Sequence, residues 1–272
     1  MSEERAIARR HIGKFPWGSL IWAVVNLAVW LSLWPLVLLD LLPLWAGFVI
    51  ACVNVALCYL PSHEAQHDIF ARPGERLRWL NETVGTLSVL PMATPFRVLR
   101  ATHLEHHKHT NDPERDPDYL THADTALGAI WASIQAKGPR GQEVVYRATL
   151  ERLGREDLLV ESALYLIVYY GALFALAWSG FALEAALLLW LPRHIGVTYI
   201  HFYLSWAPHN PGLVRGRYKD TRAFRSWAGN VSAMGMQAHI VHHLHPRIPL
   251  LRTPRAYAEM RPILEARGCR LD

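Results

Sequence analysis

The chain contains little cysteine and no cysteine pattern. Cys52 and Cys58 lie in an apolar run, and Cys269 lies close to the C-terminus. Three scattered cysteines without a C-x-x-C exclude a disulfide framework and a thiolate-bound iron–sulfur or zinc site. A Gly-rich dinucleotide-binding loop is also absent, so the sequence predicts no redox carrier of its own.

Positive charge is missing from long parts of the chain. Residues 17–60 and 159–192 contain no Lys or Arg, although the 272 residues include 28 of them. With 51% hydrophobic and 19% charged residues, an intrinsically disordered chain is excluded. Apolar runs of this length without Lys or Arg predict membrane-spanning segments. A soluble helical bundle is the alternative, but it does not explain short turns without Lys or Arg.

The apolar runs form two predicted hairpins. Residues 40–43 make the first turn, the second run ends at Pro61, and Gly180 makes the other turn. Because neither outer turn contains Lys or Arg, the positive-inside rule places the N-terminus, the 61–157 region and the tail after residue 207 in the cytoplasm. The predicted fold is an all-α integral membrane protein of one domain, residues 1–272, with four transmembrane helices and a cytoplasmic helical cap. The predicted spans are about 17–39, 43–60, 158–178 and 181–206.

A further apolar segment, residues 80–96, is interrupted three times. Gly85, Pro91 and Pro95 break it too often for a regular span. Non-helical backbone at membrane depth is tolerated where protein covers it, so this segment predicts a re-entrant or interfacial helix.

Histidine is abundant, with 15 residues, and most of it occurs in three boxes. The pattern H-x-x-x-H begins at residue 63, and H-x-x-H-H begins at residues 103 and 239. On a helix, positions three and four apart share a face, so each box predicts a cluster of imidazole nitrogens. Imidazole is the usual nitrogen ligand of zinc, copper, iron and nickel. The boxed residues are His63, His67, His103, His106, His107, His239, His242 and His243.

These donors exceed what one metal ion uses. A zinc site takes about four ligands and would leave at least four of the boxed histidines unused. Two iron ions with four or five nitrogens each account for all of them. His201, near the end of the last predicted span, and His209 are the two candidates for a ninth ligand. His109 and His245 lie two positions beyond a box and are expected to point away from the metals.

Carboxylates beside the boxes are candidates for an indirect role. A carboxylate that accepts the second N–H of a ligating imidazole fixes its tautomer and ring orientation. Glu64, Asp68, Glu105 and Asp112 are close enough in sequence for that role, with helix capping as the alternative. Asp116 and Asp118 follow the second box in a turn-forming stretch that is predicted to fold back under the metals.

The three boxes, interleaved with two hydrophobic hairpins, resemble the membrane fatty acid desaturase and hydroxylase superfamily over roughly residues 20–265. The resemblance implies a non-haem di-iron centre that activates dioxygen to take hydrogen from an unactivated C–H bond of a lipid. By the same resemblance the eight boxed histidines would be the ligands, with His201 or His209 as the ninth. Electrons would come from an external donor, a ferredoxin or a b-type cytochrome. Basic residues on the cytoplasmic side suit an acidic carrier, although membrane topology alone explains them equally well.

Within the superfamily the features of the sequence divide. The segments Pro249–Pro254 and Met260–Gly268 are similar to bacterial acyl desaturases, which implies a bacterial inner membrane, whereas Phe202–Pro211 is similar to carotenoid ketolases. His63 and His67 are separated by three residues, whereas many desaturases have four, so the substrate stays open. We expect a desaturase acting on an aliphatic lipid chain. The alternatives are a hydroxylase or ketolase of the superfamily and, from another class, a histidine-lined metal transporter. No pattern indicates nucleic-acid binding.

Overall fold

Helices make up most of this computed structural model, which describes residues 3–138 and 140–271. The strands in this part of the chain are β1 (Arg222–Ala223) and β2 (Arg270–Leu271), which pair in parallel. The predicted all-helical class is therefore confirmed. The α-helices are α1 Glu3–His11, α2 Trp17–Leu38, α3 Leu44–Gln66, α4 Arg78–Ser88, α5 Phe96–His109, α6 Ala126–Ala136, α7 Gln142–Arg152, α8 Glu156–Trp178, α9 Ala182–Ala185, α10 Leu191–Ile200, α11 Gly229–Ser232, α12 His239–Leu244 and α13 Thr253–Ala266.

Three of these helices, α2, α3 and α8, are long and apolar enough to cross a membrane. They correspond to the first three predicted spans. Only 6% of the apolar window of α8 is buried inside the protein, and Phe174 and Trp178 are 69% and 83% exposed. Apolar faces of this size are not stable in water, so they indicate a membrane protein whose helices contact lipid.

The fourth predicted span is a helical run of mixed type. It consists of α9, a π-helical turn at Ala186–Trp190, α10 and a second π-helical turn at His201–Trp206. The run lies parallel to α3: a Cβ at Gly47 would be 3.2 Å from Leu188, and a Cβ at Gly196 would be 2.5 Å from Val55. Small residues allow this close approach of helix backbones. The four-span arrangement itself stays a prediction.

Helix α3 continues past Pro61, where the apolar run ends, to Gln66. Proline removes one intrahelical hydrogen bond, but hydrogen bonds between α3 and α4 hold the last turn of α3 in place. Ser62 donates to the Gly85 carbonyl at 2.8 Å, and the Asn81 amide donates to the Ala65 carbonyl at 2.9 Å. The first box therefore begins on the last turn of a candidate membrane helix.

The interrupted segment 80–96 folds into a helical hairpin. Helix α4 ends at Ser88, a 3₁₀ turn covers Leu90–Met92, and α5 begins at Phe96. The helices pack closely, since a Cβ at Gly85 would be 2.3 Å from the Phe96 ring. The Arg193 guanidinium of α10 donates to the Met92 carbonyl at 2.6 Å, so this carbonyl of the turn has a hydrogen-bond partner. This hairpin brings α5, which carries the second box, next to α3.

A second apolar core holds the C-terminal part of the chain. Ile240, Val241 and Leu244 of α12 pack with Met260 and Leu264 of α13, and α1 contributes to the same cluster. The histidines of α12 occupy its opposite side. Packing on α13 therefore sets the direction in which the third box points.

Candidate metal centre

The first box lies where α3 ends. His63 is on the last turn of the helix, and His67 is its C-capping residue. Both side chains are buried, with 3% and 7% of their surface exposed, and their ring centroids are 5.1 Å apart.

The second box lies on α5, and the loop that follows the helix closes beneath it. Asn111 takes a left-handed conformation with φ of 62°, which Asn tolerates better than most residues. The loop then turns so that the Asp116 carboxylate accepts the backbone N–H groups of Asn111 at 2.8 Å and Asp118 at 2.9 Å. Its other contact, at 2.8 Å, is Nδ1 of His106.

The third box lies on the short helix α12 and faces the second box. Nε2 of His242 is 3.0 Å from Nε2 of His107, although the two residues are 135 positions apart. The rings of His243 and His107 are stacked with centroids 4.1 Å apart. All three boxes therefore meet at one place.

The histidines form two groups. Within each group, the ring nitrogens that could act as ligands lie within 4.8 Å of one another. Each group could hold a metal ion. The five-histidine group is His63, His67, His103, His107 and His242, and the four-histidine group is His106, His209, His239 and His243.

Each H-x-x-H-H box is divided between the two groups. In the second box, His103 and His107 belong to the five-histidine group and His106 to the other. In the third box the assignment is exchanged, because the first and last members belong to the four-histidine group. The expectation that each box forms one cluster is therefore wrong for these two boxes. The side chains three and four positions after the first histidine of a box differ in direction by part of a helical turn. They therefore face different neighbouring helices and join different groups.

The contacts in the five-histidine group fit a metal better than they fit hydrogen bonds. His103 Nε2 is 2.9 Å from His67 Nε2 and 3.1 Å from His107 Nε2, and His107 Nε2 also approaches His242. A neutral imidazole has one N–H, so nitrogens converging in this way cannot all be satisfied by one another. Lone pairs that converge on a point are the arrangement a cation requires.

In the four-histidine group, ring nitrogens without a hydrogen-bond partner also indicate a place for a metal ion. Nε2 of His209, His239 and His243 is buried and has no hydrogen-bond partner among the described residues, and the same holds for Nε2 of His63 in the other group. Buried polar atoms without partners are costly, and most native examples have a role such as ion binding. These residues therefore fit a bound metal ion.

The protonation of these side chains suits metal binding. Burial and, to a smaller extent, the charge of His106 lower the pKa of His67 to about 3. Burial and the charge of His106 likewise lower the pKa of His209 to about 3. Burial also lowers the pKa of five other members of the two groups, so these imidazoles are neutral at pH 7 and can act as ligands. The residues concerned are His103, His107, His239, His242 and His243.

His106 is the exception. Burial lowers its pKa, but the charges of Asp116 and Asp118 outweigh this effect and raise the pKa to about 9. The hydrogen bond from Nδ1 to Asp116 fixes the ring and leaves Nε2 directed at the four-histidine group.

The two candidates for the ninth position differ in location. His209 is in the four-histidine group, whereas His201 lies outside both groups and its Nδ1 is 2.9 Å from the Ser133 hydroxyl. His109 and His245 also lie outside both groups, as expected. They contact Glu105 at 3.5 Å and Glu4 at 2.8 Å.

The carboxylates behave differently from the expectation. Only Asp116 contacts a boxed imidazole within the described residues, and it confirms the prediction that its loop folds back. The expectation was wrong for Glu64, Asp68, Glu105 and Asp112, because each of these carboxylates pairs with a group other than a boxed imidazole. These are the Leu250 N–H for Glu64, Arg78 for Asp68 at 2.5 Å, Lys108 for Glu105 at 2.5 Å and Arg215 for Asp112 at 2.9 Å.

A small cavity of about 40 Å³, the histidine-facing cavity, adjoins both groups. His63 and His103 line it from the first group, and His106 and His239 from the second. Polar side chains that the sequence analysis did not identify line it as well. Gln142 and Tyr146 of α7 are examples, and no spacing or motif in the sequence distinguishes them from other polar residues.

Comparison with known proteins identifies the family. Residues 39–272 match the family described as fatty acid desaturase. The chain belongs to the fatty acid desaturase family. It is 24% identical to an sn-1 oleoyl-lipid 12-desaturase of Picosynechococcus sp., with 88% of this chain and 72% of that protein covered.

This desaturase-family chain is also similar to proteins with other names. It is 23% identical to a zeaxanthin 4-ketolase of Chlamydomonas reinhardtii, covering 93% of this chain and 57% of the ketolase. It is 23% identical to a chloroplastic omega-6 fatty acid desaturase of Spinacia oleracea, covering 86% and 56%. The chain therefore spans little more than half the length of these two relatives.

Proposed function

We propose that the protein is a di-iron, dioxygen-dependent desaturase that introduces a double bond into the acyl chain of a membrane lipid. The observation that carries the proposal is the meeting of nine imidazoles in two adjacent groups. A single ion cannot use nine nitrogen donors, whereas two ions with five and four can.

The proposed ligands are the members of the two groups, with His209 as the ninth. Nitrogen donors suit iron, and zinc is excluded on chemical grounds because it has no redox chemistry. When bound, the two irons would activate dioxygen for removal of hydrogen from an unactivated C–H bond. Two hydrogens from the substrate, two electrons and two protons together reduce dioxygen to two waters, and the substrate keeps a carbon–carbon double bond.

The chain's own residues prepare the site for this reaction. Asp116 accepts the Nδ1–H of His106, so Nε2 is the nitrogen directed at the four-histidine group, and an ion bound there would displace its proton. His106 and His239 are each 2% exposed, and this burial excludes bulk water. A dry site protects a reactive centre from side reactions.

The electrons would come from a separate protein, a ferredoxin or a b-type cytochrome. The sequence contains neither a cysteine cluster nor a dinucleotide loop that could supply them. Basic residues occur on the segments assigned to the cytoplasmic side, and they would attract an acidic carrier. The proposed topology has four spans with both termini in the cytoplasm of a bacterium.

A ketolase is the second candidate. The zeaxanthin 4-ketolase match covers 93% of this chain, a larger share than the desaturase matches cover. A metal transporter is less well supported, because α3 is the only candidate membrane helix that contributes histidines to the two groups in the described part of the chain.

Lipid and pigment profiling by mass spectrometry tests the function. Cells that express the protein should contain a lipid lighter by two mass units, whereas a ketone adds fourteen. His242→Ala should abolish the product, and His109→Ala, a histidine of α5 outside both groups, should retain it. A product that persists in the His242→Ala form would exclude the proposed centre.

A further inference from the structure

A second cavity, the α7–α8 cleft, opens between the start of α5, α7 and α8. Its volume is about 360 Å³, in the range of small-molecule and lipid sites. Val98 of α5, Leu150 of α7 and Leu159, Ala163 and Leu166 of α8 make its wall predominantly apolar. Helix α8 is the candidate membrane helix with the least buried apolar surface, so the cleft lies where lipid is present.

The α7–α8 cleft adjoins the histidine-facing cavity. Gln142 and Tyr146 line both, so these two side chains form the partition between them. On the far side of the partition are His103 and His106. A chain that displaces these side chains would pass from the cleft to the two histidine groups.

A larger cavity elsewhere lacks this connection. The α2–α3 cleft has a volume of about 770 Å³ and is lined by Val53 and Leu57 of α3, among others. None of the described residues that line it also lines the histidine-facing cavity. Size alone therefore does not identify the route to the histidines.

The rim of the α7–α8 cleft carries an unpaired cation. Arg147 is exposed and forms no ion pair with the described residues, although Glu143 lies one helical turn before it. The other arginine in the wall, Arg193, has internal partners, the Met92 carbonyl and the Tyr169 ring at 5.3 Å. A guanidinium at an apolar, lipid-exposed cleft suits a phosphate group, to which it can donate two hydrogen bonds.

We propose that the α7–α8 cleft is the entry site of the substrate, and that the substrate is an acyl chain of a phosphoglycerolipid. Arg147 binds the phosphate at the rim, the apolar wall holds the chain, and Gln142 and Tyr146 admit it to the histidine-facing cavity. This inference rests on the proposed function for the identity of the reaction, but the binding site can be tested without turnover.

Photocrosslinking tests the site. The full-length protein is placed in lipid nanodiscs with phosphatidylglycerol that carries a diazirine in its acyl chain, and the labelled peptides are identified by mass spectrometry. Labels are expected on α7 and α8. Ser162→Trp, which fills the cleft, should reduce them about tenfold. Val53→Trp, which fills the α2–α3 cleft, is the matched control and should leave them unchanged.

Two further variants test the head group. Arg147→Gln should reduce labelling by phosphatidylglycerol about tenfold, because a charged hydrogen-bonding contact to phosphate is lost. It should not affect a galactolipid with the same acyl chain, which has no phosphate. Glu143→Gln, on the same helix face, should not reduce labelling by either lipid.

The outcomes separate the two proposals. Labelling that persists in His242→Ala protein supports a binding site independent of the metal centre. If the wild-type protein is labelled but wild-type cells form no double bond, only the proposed function is overturned. Labels on the α2–α3 cleft, or undiminished labelling in Ser162→Trp, would overturn the entry site. If Ser162→Trp does not accumulate as folded protein, Ala163→Leu makes the same test with a smaller side chain.

Discussion

Nε2 of His107 lies 3.0 Å from Nε2 of His242, across 135 residues of sequence. This contact joins α5 to α12 and places one member of each H-x-x-H-H box in the same group. His103 belongs to this group as well, whereas His106, His239 and His243 belong to the four-histidine group. Two helices that face each other therefore build, from both boxes, two groups that could each hold a metal ion, and loss of either helix would disrupt both groups.

The assignment of the ninth nitrogen gives the first prediction. His209→Ala should lower the iron content from about two ions per chain to about one, because the four-histidine group loses a donor. Elemental analysis of the purified protein measures this. His201→Ala is the control, since His201 lies outside both groups, and its iron content should equal that of the wild type. The reverse result would assign the ninth position to His201.

The contact between Asp116 and His106 gives the second prediction. Asp116→Asn removes the negative charge that orients the imidazole but keeps the side-chain shape. Metal affinity should fall about 10- to 100-fold, the usual effect of changing a residue that positions a ligand. Competition with a chelator of known affinity measures it.

Asp112→Asn serves as the comparison for that variant. Asp112 lies on the same loop but pairs with Arg215 at 2.9 Å. Its metal affinity should remain close to that of the wild type. Equal losses in both variants would mean that the loop, and not the hydrogen bond to His106, determines affinity.

Metal removal gives the third prediction. Without a metal, Nε2 of His63, His209, His239 and His243 is buried with no partner in the described part of the chain. Binding at a hundredfold excess over Kd stabilises a protein by about 2.7 kcal/mol, so removal should lower Tm by roughly 5–10 °C. Thermal melts in detergent with and without a chelator measure the shift. A doubly substituted His239→Ala, His242→Ala protein should show no response to the chelator.

The close packing of α10 on α3 gives the fourth prediction. A Cβ at Gly196 would lie 2.5 Å from Val55 and 2.9 Å from the Ala56 backbone nitrogen, so the helices must separate. Gly196→Ala should cost about 1–3 kcal/mol of unfolding free energy, the typical effect of overpacking. Denaturation in mixed micelles measures it.

Gly171→Ala is the matched control. Gly171 lies within α8, and a Cβ there meets no atom within 4 Å. Alanine favours helix over glycine, so this change should be neutral or slightly stabilising. A similar destabilisation by both substitutions would mean that helix packing is not its cause.

Much of the architecture follows from local patterns. Runs without Lys or Arg predict α2, α3 and α8, because burying a charge in hydrocarbon is costly. Gly85, Pro91 and Pro95 predict that the segment between α3 and α5 is broken. The end of α3 was not predictable from Pro61, since the hydrogen bonds that extend the helix come from α4.

The spacing of the boxes, by itself, determined that imidazoles gather on short helical segments, because three and four residues complete about one helical turn. Only the tertiary structure decided how they are shared. The rotation of α5 and α12 about their axes directs His106 to one group and His242 to the other, and packing of Ile240 and Val241 on α13 sets the rotation of α12. Distant packing likewise places His209 in a group and leaves His201 with Ser133. Helical periodicity is a local property, whereas the rotation and crossing of helices depend on contacts that are far apart in the sequence.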